Sequence, residues 1–141
     1  MSSNRSSSRP SAHDPSGGPA ADLPLVVFGP HSLEYDFGPS HPLSPRRFGP
    51  GIDLLRTVGA TEGPWLEPEP ATDEELGRLH SAGYIATVRR FSADPEAALE
   101  EPEAGIGPGD DPPFAGMHEA SAAVAGGSIR AMEAILQGDA R

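Results

Sequence analysis

Two residue types are missing from this chain of 141 residues: there is no cysteine, and all ten of its basic Lys/Arg side chains are arginines. Without cysteine there is no thiol nucleophile, no thiolate metal site and no disulfide. Without lysine there is neither a Walker-type phosphate lysine nor a Schiff-base lysine. Positive charge is scarce altogether. A formal net charge of −11 and a pI near 4.7 argue against a nucleic-acid footprint, which needs clustered basic residues. No apolar run approaches the ~20 residues of a membrane span, and the N-terminus has no hydrophobic signal core. A cytoplasmic protein without a membrane anchor is the expectation. Apolar residues make up only 36 %, while 17 Gly and 17 Pro bring the chain near the border with poorly ordered sequence.

What is present begins with a stretch rich in Ser, Pro, Gly and Ala over residues 1–22. It cannot bury enough surface to offset its ordering entropy and reads as a disordered tail. Leu23 to Phe28 is a short apolar run without polar alternation, which suits a strand buried on both faces of a parallel sheet. Next comes Tyr35-Asp36-Phe37-Gly38-Pro39-Ser40-His41-Pro42-Leu43-Ser44-Pro45-Arg46-Arg47. Its prolines recur every third residue and force extended backbone on the residues ahead of them. The result is a stiff loop, either a plain connection or a functional one.

Ser44-Pro45 predicts a helix start, and the helix runs to about Val58 with Phe48, Ile52 and Leu55 on one face and Gly59 as its stop. Gly49-Pro50-Gly51 weakens that start, so the helix proper is allowed to begin near Pro50. Trp65-Leu66-Glu67 is a second short strand. Thr72 with Glu75 is a capping box, with Leu76 and Leu79 as its apolar side. Ser81 caps a helix striped by Tyr84, Ile85, Val88 and Phe91. Asp94 to Glu103 is a marginal helical turn, and Gly105 to Gly116 a loop. A last helix, Met117 to Gln137, is expected to anchor through Val124, Ile129, Met132, Ile135 and Leu136. Gly126-Gly127 within it suggests close approach to another backbone, or else a weak spot. The alternation is that of an α/β protein with too few strands to complete a sheet.

No complete active site emerges from the residues. The histidines are His13, His31, His41, His80 and His118, and none stands in a metal-ligating pair such as HxH or DxH. His118-Glu119 opens like a zinc-protease motif, but Ala122 stands where the second histidine belongs. Gly38-Pro39-Ser40-His41-Pro42 lacks the closing glycine of a nucleophile elbow. The acidic residues between Glu62 and Glu103 read as a solvated surface.

The segment Tyr35 to Arg47 resembles the N-terminal signature of the histone deacetylase superfamily, most closely its bacterial acetoin-utilisation (AcuC-type) branch. Further blocks resemble the same family in register: Pro70 to Leu76, Leu79 to Ile85, Gly109 to Ala120, and Ala125 to Ser128. The resemblance implies an arginase–deacetylase fold, a parallel sheet flanked by helices. It also implies hydrolysis of acetyl-lysine-type amides, in an acetylated lysine or an acetylated small amine, by zinc-activated water. Asp111 matches a rim aspartate that accepts hydrogen bonds from substrate amides, with an Asx-turn ahead of Pro112-Pro113 as the competing reading. Arg47 matches an interior arginine of an acetate-release channel, or is a structural arginine on buried carbonyls. Tyr35, His41 and His80 are expected to lock loops. The family's zinc ligands and its catalytic histidine pair have no counterpart in the sequence. Residues 23–141 are therefore read as the N-terminal portion of a deacetylase domain with an incomplete sheet, binding no catalytic zinc alone. The readings left open are a truncated deacetylase, one half of a split enzyme whose partner is a separate catalytic C-terminal half, and a non-enzymatic acidic interaction module.

Overall fold

Val26-Val27 and Trp65-Leu66 pair in parallel, Val26 opposite Trp65 and Val27 opposite Leu66, and these short strands are β1 and β2. The computed structural model describes residues 24–101 and 105–140; the tail expected over residues 1–22 lies outside the described residues. Amide bonds from Val26 to Pro64 and from Phe28 to Leu66, both 3.0 Å, extend the pairing at either end. A parallel sheet is present as expected, but the strand is shorter than Leu23 to Phe28 and only half-buried. With one partner strand among the described residues, each strand keeps an open edge and neither face is fully covered.

The connection between the strands holds the first helix. Ser44 caps a 3-10 turn, Pro45–Arg47, through its side chain, and this turn runs into α1, Phe48–Thr57. The α-helix thus starts before Pro50. Pro50 falls in the first turn, where backbone N–H groups have no intrahelical acceptor, so its missing donor costs little. Gly59 stops the helix at φ +72°, with Gly59 N–H on the Arg56 carbonyl (3.1 Å) and Ala60 N–H on that of Leu55 (3.0 Å). That is the Schellman arrangement, which needs a left-handed residue at this point.

Helix α2, Asp73–Leu76, is one turn held by the capping box: Thr72 Oγ1 accepts from Glu75 N–H (3.2 Å) and Glu75 Oε2 accepts from Thr72 N–H (2.8 Å). Ser81 caps α3, Ala82–Ala93, by accepting from Tyr84 N–H at 3.1 Å. A 3-10 turn, Pro95–Glu100, follows, and α4 spans Met117–Gln137. Phe91 is wholly buried among Ala98, Ile106 and Met117, with Val88, Ala97 and Phe114 packed around them.

Two expectations about burial are corrected. Leu79 is 89 % exposed and anchors nothing. On α4 the buried residues are Met117, His118, Ala120, Ala122, Ala123, Gly126 and Ala134, whereas Val124, Met132, Ile135 and Leu136 are exposed. The helix lies on its small-residue face because the backbone at Glu69 to Ala71 presses against Gly126, a distance that larger side chains could not allow. Among the described residues no helix is long and apolar enough to cross a membrane.

Candidate binding cleft

The proline loop is held together by its own side chains. Asp36 Oδ1 accepts from Gly38 N–H (2.9 Å), His41 N–H donates to the Gly38 carbonyl (3.2 Å), and His41 Nδ1 accepts from Leu43 N–H (3.1 Å). The Arg47 guanidinium donates to the Pro42 carbonyl. Arg47 is solvent-exposed and does not line the cleft described below. Restricted proline φ and these short-range bonds fix the loop without a strand ladder.

The loop is fastened to the rest of the protein by aromatic rings. Tyr35, Phe37 and Phe114 meet edge to face with centroids 5.2–5.5 Å apart, the geometry favoured by ring quadrupoles. His41 sits 4.5 Å from the Phe37 ring. Phe114 belongs to the loop before α4, so segments nearly 80 residues apart in sequence meet here.

Their meeting leaves a cleft of about 330 Å³. Its lining brings together Tyr35 and Phe37 of the proline loop, Tyr84 and Val88 of α3, Ser121 of α4 and Asp111 of the loop before α4. His80 stacks on Tyr84 at 5.4 Å. The Asp111 residue is exposed, and its carbonyl accepts from Gly107 N–H at 3.0 Å, which folds the loop back on itself. Burial and then the nearby Asp111 carboxylate push the Tyr35 phenol above its ordinary pKa, partly countered by Ser121. The phenol therefore stays protonated and able to donate through the neutral range.

Alongside the cleft, with His118 in its lining, runs a polar network that the sequence does not announce. His118 is buried, and its Nε2 accepts from Arg89 Nε at 3.2 Å, which places the ring proton on Nδ1, 3.7 Å from Glu119. Arg89 also pairs with Asp73 at 2.6 Å. Ser92 Oγ donates to Glu119 Oε2 (2.7 Å) and accepts from His118 N–H (3.2 Å). The only sequence signal was a histidine and a carboxylate in the first turn of an apolar helix.

The hydrogen bond from Thr72 holds the Glu75 carboxyl below the usual range, and that from Ser92 does the same for Glu119. A carboxyl with a lowered folded pKa stabilises the fold above its unfolded value, here 4.5. That contribution is lost as pH falls through the folded value. Urea denaturation should accordingly show constant stability from neutral pH to about 5 and a decline below it. The double variant Glu75→Gln, Glu119→Gln should flatten that decline. An unchanged acid slope in the double variant would assign the acid sensitivity elsewhere.

Among the described residues no three His, Asp or Glu side chains gather as a metal-ligating group. His31 faces Glu34, His41 the Leu43 backbone, His80 the Tyr84 ring and His118 Arg89.

Residues 41–141 match the histone deacetylase domain. The chain is 35 % identical over 117 residues to the acetoin utilization protein AcuC of Bacillus subtilis (strain 168), covering 82 % of this chain and 30 % of that protein. It is 29 % identical over 113 residues to AcuC of Staphylococcus xylosus, covering 79 % and 29 %. Histone deacetylase clr6 of Schizosaccharomyces pombe is 31 % identical over 108 residues, 75 % of this chain and 27 % of that one. The chain thus spans about 30 % of the length of these curated relatives. With residues 41–47 of its proline loop and the Asp111 segment inside the matched region, the chain belongs to the histone deacetylase family and stands close to the AcuC proteins.

Proposed function

We propose that this chain forms the substrate-rim portion of an AcuC-type deacetylase that hydrolyses acetyl-lysine-type amides. The observation that carries the reading is the convergence of two family-like segments, the Tyr35 loop and the Asp111 loop, on one cleft. Asp111 stands exposed beside it, where a carboxylate can accept hydrogen bonds from the backbone amides of an acetylated peptide. An acetylated small amine is the other substrate of this chemistry.

The zinc implied by the family does not fit the residues described, which bring no ligand set together. This chain's part is binding and positioning, and the metal and the acid/base pair belong to a catalytic C-terminal half. Arg47, braced on the Pro42 carbonyl, keeps the proline loop in shape. An acetate-release role for it requires the catalytic half to enclose that side of the loop.

The test is a chimera in which this chain replaces the matching 30 % of the Bacillus subtilis AcuC protein. Zinc-dependent release of acetate from an acetyl-lysine peptide is the expected result, with Asp111→Ala raising KM for the peptide. A folded chimera that binds zinc but releases no acetate would overturn the deacetylase reading in favour of an interaction module.

A further inference from the structure

The chemistry of the cleft points to a charged ligand group. Its lining includes one carboxylate, Asp111, and no arginine. The same lining holds the aromatic side chains of Tyr35, Phe37, Phe114 and Tyr84 and the His80 ring. The Tyr35 and Phe114 ring centroids lie 5.5 Å apart, and His80 stacks on Tyr84 at 5.4 Å. Among the described residues the Asp111 carboxylate takes part in no ion pair, while Asp73, Glu75, Glu101 and Glu133 each hold an arginine. Aromatic side chains together with a carboxylate that holds no ion pair among the described residues, all lining a cleft of about 330 Å³, suit a cation through ring quadrupoles and Coulomb attraction together. An anion would meet no counter-charge from arginine there.

We propose that the cleft is a subsite for an alkylammonium group, with Asp111 as counter-charge and the rings of Tyr35, Tyr84 and Phe114 as its walls. The inference deepens the deacetylase reading, on which it rests for the identity of the ligand. The ammonium is then either the side chain of a lysine next to the acetylated one or the free end of a mono-acetylated diamine. Both carry the same chemistry, a primary ammonium on a flexible apolar stem. The chain's net charge of −11 favours approach of such a ligand from solution.

The experiment uses the full chain and n-butylammonium, with uncharged n-butanol as its isostere, followed by amide chemical shifts in NMR titrations. Butylammonium should shift resonances around Tyr84, Asp111 and Ser121 and bind at least about fivefold more tightly than butanol, the charge being the difference. Asp111→Asn should remove most of that preference, and so should a severalfold increase in salt. Tyr84→Phe should retain binding and Tyr84→Ala weaken it; both sites are exposed, so the fold is kept. Equal binding of butanol and butylammonium, or an Asp111→Asn variant with undiminished preference, would overturn the subsite. The two sources are separated by titrating monoacetylputrescine against an acetyl-lysine peptide with a neighbouring lysine. Tighter binding of the first assigns the subsite to a small amine, and of the second to a peptide. Butylammonium has no acetyl group, so its binding stands or falls apart from deacetylation: binding with an inactive chimera would leave the subsite and remove the deacetylase reading. An active chimera whose chain shows no charge preference would do the reverse.

Discussion

Gly126→Ala is expected to destabilise the chain by about 3 kcal/mol, while Gly127→Ala, one residue on, should be neutral or stabilising by up to ~1 kcal/mol. A Cβ at Gly126 would lie 2.1 Å from the Glu69 carbonyl oxygen and 2.8 Å from the Ala71 nitrogen. These are backbone atoms and cannot rotate away. The segment is pinned as well, since Ala71 N–H donates to the Ala122 carbonyl on α4 at 2.8 Å. To make room the segment must move, and that hydrogen bond, worth about 1 kcal/mol net, is lost with the close packing. Alanine's better helix propensity offsets part of the loss but not all of it. At Gly127 the nearest atom is a side-chain carbon of Pro68 at 3.7 Å, ordinary contact distance, so only the propensity gain remains. The displaced segment leads straight into Thr72 and α2, whose Leu76 lines the cleft, so Gly126→Ala should also weaken butylammonium binding. Urea denaturation of the two variants side by side decides the matter. If they prove equally stable, α4 does not rest on residues 69–71.

Phe91→Ala should cost about 3–5 kcal/mol, the range for deleting a wholly buried ring from a core that cannot collapse around it. Phe91 is fully buried and holds α3, the Pro95–Glu100 turn, Ile106 and the start of α4 in one cluster. Few other large side chains are buried here, so no neighbour can fill the gap. Against the total of about 5–15 kcal/mol usual for a domain, such a loss should leave a broad, weakly cooperative transition. The site feels it too, because Ile106 and Phe114 flank Asp111 in sequence and pack on this cluster. Phe91→Leu retains most of the volume and should cost about 1–1.5 kcal/mol. Calorimetry of the two variants reads the difference directly. A sharp transition for Phe91→Ala within about 1 kcal/mol of the parent would mean the cluster is not the core.

The features legible in the sequence are those decided within one or two helical turns. Ser44, Thr72 and Ser81 cap helices because a hydroxyl two or three residues ahead of a free N–H reaches it whatever the surroundings. Gly59 ends α1 because a left-handed residue is needed to return two N–H groups to the last turn. The bounds of α4 and the pairing potential of Val26-Val27 and Trp65-Leu66 follow from local pattern in the same way. Pro50 misled only by position: proline opposes a helix interior but not a first turn.

What depended on long-range packing was not legible. The apolar periodicity of α4 gives it a large-residue face and a small-residue face, and either could have been covered. The tertiary structure covers the small one, since backbone approaches there to a distance only glycine permits, and leaves Val124, Met132, Ile135 and Leu136 outside. The same holds for the network of Arg89, His118, Ser92 and Glu119, whose members lie on different helices and acquire a role only when these pack. The sequence by itself determined helix caps, the bounds of α4, the two short strands and the family signature, all carried by neighbouring residues. Only the tertiary structure decided that Asp111 stands with Tyr35 and Tyr84 around one cleft, because closeness across about 75 residues is created by packing and left no trace in local pattern.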